Sequence, residues 1–114
     1  MNFDIYDAAR GGVVIKNIHV AASFFERFAG LMFRKDPEPY SGLVFYHAGG
    51  IHTCFMRFAL DIVFIDRNMK VLKLFRKVGP FRLVFCCNSY AAIEFKSGMS
   101  GVINAGDILE FKNG

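Results

Sequence analysis

The stretch Ile51–Asp66, IHTCFMRFALDIVFID, decides the fold of this chain. Its second half, LDIVFID, would be hydrophobic on both faces of an extended strand, which is typical of a sheet interior. Ionisable and sulfur-bearing side chains nevertheless interrupt the run, namely His52, Cys54, Met56, Arg57 and Asp61. Because a buried charge is costly unless it is paired, the same stretch is where we look first for function.

Short strands are predicted on both sides of this stretch. Val13–Ile18 is rich in β-branched residues, and Gly42–His47 precedes a glycine-rich turn. Arg67 and Asn68 form a tight turn that leads into Lys70–Phe75, which predicts a hairpin. Further strands are predicted at residues 83–87, 91–95 and 108–111.

One helix is predicted before the first long strand pair. Ser23 and Glu26 match a capping box, and Phe25, Phe28 and Met32 follow helical spacing. We therefore predict an α+β fold, a small, largely antiparallel, β-barrel-like domain of about seven short strands with one clear helix in its N-terminal half. Residues 1–12 are expected to be a loosely ordered segment, and residues 13–114 a single domain.

The composition excludes several classes of protein. The apolar runs reach only about five residues, far below the roughly 20 that cross a bilayer, so no membrane span is expected. The N-terminus has no apolar signal-peptide core, and the three cysteines are expected to be buried, reduced thiols of a cytoplasmic protein. The net charge of +4 is mild, and we do not expect a nucleic-acid partner. No cofactor signature is present.

Asp61 is the residue on which the site hypothesis depends. It lies between Leu60 and Ile62, so the sequence predicts a buried carboxylate that needs a partner. Arg57 is too distant along an extended strand, about 13 Å, which leaves Arg34, His52 or backbone N–H groups as candidates. A carboxylate that caps a turn or strand entry through backbone bonds is the structural alternative.

Our preferred hypothesis is a non-enzymatic module that binds a small molecule or a partner protein. An arginine would engage an anionic group, Asp61 would orient it, and Met56 would supply apolar contact. The predicted ligand-binding residues are Arg34, His52, Met56, Arg57, Asp61 and Glu94.

There are three alternatives, two of which involve the same part of the chain. A small enzyme would use His52 or Asp61 as acid or base, or Cys54 as nucleophile. A metal site at His52, Cys54 and Met56 is disfavoured because these side chains step about 7 Å apart along a strand, so no metal is predicted. The third is a docking domain that would meet an anionic partner through the basic hairpin 67–82.

The ordered motifs of the chain resemble those of the DUF192 family, also called UPF0127. The segments that carry the likeness are GLMFR (30–34), GLVF (42–45), IHTCFMRFALDIVFID (51–66), KVLKL (70–74), AIEFKSG (92–98) and AGDILEF (105–111). The likeness covers about residues 13 to 111, and the order and spacing of the segments together are more specific than any single motif. The resemblance implies a small β-rich, barrel-like domain without an established activity.

The resemblance also marks characteristic positions. They fall on Gly30, Leu31, Met32, Arg34, His52, Met56, Asp61 and Glu94. This chain departs from the family pattern at Phe55, where many members have Trp, and at Ala59, where members often have Pro. Some relatives carry an export signal that is not seen here, in keeping with the expected cytoplasmic location.

Overall fold

The structure, a computed structural model, describes residues 2–9, 11–21, 41–53, 58–98 and 101–113. These residues form nine strands. The strands are β1 Asn2–Asp7, β2 Val13–Val20, β3 Gly42–Tyr46, β4 Gly50–His52, β5 Leu60–Ile65, β6 Val71–Val78, β7 Leu83–Phe85, β8 Ala91–Lys96 and β9 Leu109–Asn113. None of the described residues belongs to a helix with the length and hydrophobicity of a membrane span.

Seven of the strands form one curled, half-barrel sheet, and β4 pairs with β7 in a small second sheet. The order in the large sheet is β6-β5-β8-β3-β2-β1-β9, with every pair antiparallel except β2 and β3. The curl brings the two edge strands together at one point. There the Val71 N–H donates to the Asp107 carbonyl at 2.8 Å, and the Leu109 N–H donates to the Met69 carbonyl at 3.0 Å.

The strand predicted from LDIVFI is confirmed as β5, and all six of its residues are buried. It lies between β6 and β8, so neighbours on both sides satisfy its backbone. The predicted hairpin is confirmed as well. Asp66 Oδ1 accepts the N–H groups of Asn68 and Lys70 at 2.8 and 3.0 Å, which fixes the turn between β5 and β6.

Two apolar clusters lie on opposite faces of the large sheet. The enclosed core takes residues from all seven strands and therefore fills the inside of the curl; it comprises Ile5, Ile15, Ile18, Val44, Val63, Ile65, Val71, Ala91, Ile93, Phe95, Ile103 and Leu109. The outer core lies against the small sheet and comprises Ala21, Leu43, Phe45, Ile51, Leu60, Ile62, Phe64, Cys86 and Ala92. Along β5 and β8, alternate residues enter alternate clusters, as the two-residue strand period requires.

The predicted α+β class is wrong. The described residues contain strands and no helix, so the architecture is all-β, and the strands number nine rather than about seven. The helix was expected at residues 23–32, which lie outside the described residues. The segment expected to be loose contains β1, which pairs with both β2 and β9 and buries Ile5 completely.

Candidate functional site

Asp61 lies in β5 opposite a β-bulge in β6. The register between these strands shifts between Leu60 and Ile62, so Arg76 and Lys77 together oppose the single residue Asp61. Lys77 adopts a left-handed φ of 54°, and its N–H donates to Asp61 Oδ1 at 2.9 Å. The carboxylate thus supplies an acceptor for a backbone group at a bulge, where the regular ladder is interrupted.

The second carboxylate oxygen of Asp61 binds another turn. Oδ2 accepts the N–H of Gly98 at 3.0 Å, just after β8 ends. Asp61 is 1 % exposed, so the predicted burial is confirmed. Its side chain connects β5 to the bulge of β6 and to the turn after β8 through backbone bonds, the arrangement that the structural alternative describes.

Glu94 is the second buried acid of the predicted set, and its surroundings differ. It lies in the middle of β8, where its neighbours across the sheet are Leu43 on β3 and Ile62 on β5. It is 4 % exposed, and none of the described residues donates a hydrogen bond to its carboxyl group. Burial raises the pKa of Glu94 from 4.5 to about 8, because the carboxylate has lost its water.

The sheet separates these two acids. Asp61 pairs with Phe95, whose ring is in the enclosed core, and Glu94 pairs with Ile62, which is in the outer core. Directly paired residues of antiparallel strands point to the same face, so the side chains of Asp61 and Glu94 leave the sheet on opposite sides. The structure does not bring them into one pocket.

His52 lies on a third surface. In β4 the pattern is exposed, buried, exposed, with Ile51 facing the outer core and His52 facing away from it. His52 pairs with the exposed Leu83 of β7. His52 and Asp61, the alternative acid or base residues of the enzyme hypothesis, therefore lie on different surfaces.

Thr53 is a buried polar residue that the sequence analysis passed over. It is fully buried, its Oγ1 donates to the Gly79 carbonyl at 2.7 Å, and it accepts the Arg82 N–H at 2.8 Å. Its hydroxyl thus fastens the segment after β4 to the loop between β6 and β7. The sequence could have indicated the burial of Thr53, because residues two apart on a strand point to the same face and Ile51 is buried.

The remaining predicted site residues are Arg34, Met56 and Arg57, and they lie outside the described residues. Their places in the chain are still informative. Residues 22–40 follow directly on Ala21, and residues 54–57 lead directly into Phe58. Ala21 belongs to the outer core and Phe58 packs against it. The described residues next to these segments, Ala21 and Phe58, therefore lie on the face that carries Glu94.

Two of the three cysteines lie among the described residues, and they differ in burial. Cys54 lies outside the described residues, while Cys86 and Cys87 are both free thiols. Cys86 is buried, but Cys87 is exposed, so the expectation of a buried thiol is wrong for Cys87. Within the described ranges, no group of three His, Cys, Asp or Glu side chains is arranged to hold a metal ion.

The basic hairpin presents its charges to solvent. The cations of this stretch are all exposed: Arg67, Lys70, Lys73, Arg76, Lys77 and Arg82. Arg76 donates from Nη2 to the Ile103 carbonyl, and Arg67 lies over the ring of Tyr90. Docking of an anionic partner here stays a prediction.

Comparison with known proteins agrees with the motifs and the fold. The model of the DUF192 family, described as "Uncharacterized ACR", matches residues 7–111. UPF0127 protein PF1050 of Pyrococcus furiosus is 31 % identical over 116 residues, which cover 92 % of this chain and 95 % of that protein.

Two crystal structures share the fold. A protein of unknown function from Novosphingobium aromaticivorans DSM 12444 superposes with a TM-score of 0.78 at 20 % identity, covering 96 % of this chain and 84 % of that one. A "putative transcription regulator" from Sinorhizobium meliloti 1021 gives 0.80 at 18 % identity, covering 96 % and 92 %. At these identities the likeness shows the fold alone. On the family match and the Pyrococcus relative, the chain belongs to the DUF192 family, also called UPF0127, whose function is uncharacterised.

Proposed function

We propose that this domain is a non-enzymatic binding module that takes a small, largely apolar ligand with one polar group at the Glu94 face of the sheet. The observation that carries the proposal is the Glu94 carboxyl group, which is 4 % exposed among apolar side chains and whose pKa is raised to about 8 by burial. Ionisable groups whose pKa is strongly perturbed by burial are concentrated at sites that bind or react with something. A ligand with a hydrogen-bond acceptor would pair with this carboxyl group.

The surroundings of Glu94 define the chemistry of the ligand. Leu43, Ile62 and Ala92 share its face and offer only apolar contact. With a pKa of about 8, Glu94 holds its proton at neutral pH and acts as a hydrogen-bond donor. The expected ligand therefore combines an apolar body with a single acceptor, such as a carbonyl oxygen or a weakly basic ring nitrogen.

The other predicted site residues have different parts in this proposal. Arg34, Met56 and Arg57 lie outside the described residues, and their part in binding stays a prediction. Asp61 acts from the opposite face as a positioning residue, because it holds the turn at Gly98 that ends β8. His52 lies on the exposed side of the small sheet and would contribute at most to the rim.

A matched pair of probes tests this site. 4-Methylpyridine and toluene have the same shape, but only the first has an acceptor nitrogen. Titration is followed by the methyl NMR signals of Leu43, Ile62 and Ala92. We expect 4-methylpyridine to bind about tenfold more tightly than toluene, because one hydrogen bond to a buried group is worth about 1.4 kcal/mol.

The variant Glu94→Met removes the carboxyl group and keeps the volume. It is expected to fold with at least wild-type stability and to bind both probes equally. The proposal fails if the two probes bind the wild type equally, if Glu94→Met keeps the preference, or if the shifted signals belong to another surface.

A further inference from the structure

A groove of about 420 Å³ lies at the end of the large sheet where β3 and β5 stop and β8 begins. Tyr90 lines the groove beneath the Arg67 guanidinium, and we call this residue the floor. The Tyr90 N–H donates to the Ile65 carbonyl at 2.8 Å, and its own carbonyl accepts the His47 N–H at 2.6 Å. The floor is thus fastened to the ends of β3 and β5 by backbone bonds, which gives the groove a preformed shape.

Arg67 is oriented across this floor without using its hydrogen-bond donors. Its guanidinium carbon lies 5.0 Å from the centre of the Tyr90 ring, a cation–π arrangement. No acid among the described residues forms an ion pair with it. The neighbouring carboxylate, Asp66, also lines the groove, but its Oδ1 accepts two backbone N–H groups of the turn. The guanidinium therefore keeps its N–H groups for a ligand.

Further hydrogen-bond donors line the same groove. The His47 ring meets the Tyr90 ring edge-on, with 5.2 Å between the centroids. The side-chain amides of Asn68 and Asn88 line the groove and make no hydrogen bond within the described residues. His47 and Asn88 both have left-handed φ angles, 59° and 65°, so the backbone holds unfavourable conformations where these side chains meet the groove.

We propose that this groove binds the oxyanion of a small molecule, a phosphate or a carboxylate group. Arg67 would make two parallel N–H bonds to it, and the amides of Asn68 and Asn88 and the ring of His47 would complete its coordination. Tyr90 precedes Glu94 by four residues, about 13 Å along an extended strand, so the groove and the Glu94 face are separate sites. The inference does not depend on the function proposed above.

Inorganic phosphate and acetate are the two probes. The backbone amide NMR signals of Asn68, Asn88 and Tyr90 are followed during titration, with sodium chloride at equal ionic strength as the reference. We expect saturable shifts of these signals with at least one oxyanion and only uniform, non-saturating shifts with chloride. Tighter binding of phosphate would identify a phosphate-bearing ligand, and tighter binding of acetate would identify a carboxylate; either supports the site.

Three variants test whether binding is local. Arg67→Gln should weaken binding about tenfold, because it removes the paired N–H donors. Asn88→Gly keeps the left-handed backbone, removes the amide, and should weaken binding less. Lys70→Gln removes the same charge from the same hairpin but outside the groove, so it should change binding by less than about twofold. Absence of saturable shifts with both oxyanions, or equal losses in Arg67→Gln and Lys70→Gln, overturns the proposal.

Discussion

Asp61 and Glu94 are two buried acids on neighbouring strands, and they differ in what surrounds their oxygens. Asp61 faces the enclosed core side and accepts backbone N–H groups from Lys77 and Gly98. Glu94 faces the outer core and has no donor among the described residues. Burial of an acidic side chain is therefore not enough to identify a binding site. The Asp61 carboxylate connects strands and turns through backbone N–H groups, whereas Glu94 makes no such connection among the described residues.

Asp61 and Glu94 should differ most in how each makes the free energy of unfolding depend on pH. The folded protein holds the Glu94 proton with a pKa of about 8, against 4.5 for the ordinary carboxyl group. Between these values the folded state binds more protons than the unfolded state, so stability falls as pH rises. The contribution of Glu94 is fully present below pH 4.5 and lost above about pH 8. The loss is at most about 5 kcal/mol, at about 1.4 kcal/mol per pKa unit.

Glu94→Gln should remove that dependence. Urea unfolding at pH 5, 7 and 9 is expected to show equal stability of variant and wild type at pH 5 and a growing advantage of the variant toward pH 9. Glu110→Gln is the matched control, because Glu110 is exposed and its removal should leave the pH profile unchanged. If wild type and Glu94→Gln keep a constant difference at all three values, Glu94 is not held protonated by burial.

Asp61→Ala should cost about 3 kcal/mol of unfolding free energy at pH 7, because it leaves two N–H groups in a buried environment without acceptors. Asp66→Ala is the comparison within the same strand pair. Asp66 also accepts two backbone N–H groups, but in an exposed turn, where water replaces the lost acceptor. Its removal should cost less than about 1 kcal/mol. Equal losses in the two variants would show that the Asp61 carboxylate is solvated.

The parts of the fold that could be predicted are those whose sequence signals lie close together along the chain. LDIVFI and the Arg67–Asn68 turn form β5 and its hairpin with β6 because both signals lie within a few residues of one another. β1 was missed because NFDIYD mixes acids with apolar residues, and its strand is stabilised by β2 and by the distant β9. The α+β expectation rested on residues 23–32, and the described residues are organised by strand pairing alone.

The candidate site was predictable in part for the same reason. The burial of Asp61 follows from its neighbours in sequence. Two of its partners do not, because they are backbone N–H groups at Lys77 and Gly98, which no side-chain type in the sequence indicates. The separation of Asp61 from Glu94 depends on the register that pairs Asp61 with Phe95. A shift by one residue would put both acids on the same face, and sequence alone does not fix that register.

The smallest expected effect concerns the bulge that Asp61 holds. Lys77 carries a left-handed φ of 54°, which disfavours any residue with a Cβ. Lys77→Gly should therefore raise the free energy of unfolding by about 0.5 kcal/mol, since the relief of strain exceeds the added flexibility of the unfolded chain. Lys73→Gly, in the same strand but without a left-handed φ, should lower it by a similar amount, about 0.5 kcal/mol. If both variants lose stability equally in urea unfolding, the bulge opposite Asp61 stores no strain, and the carboxylate is not needed to hold Lys77 in place.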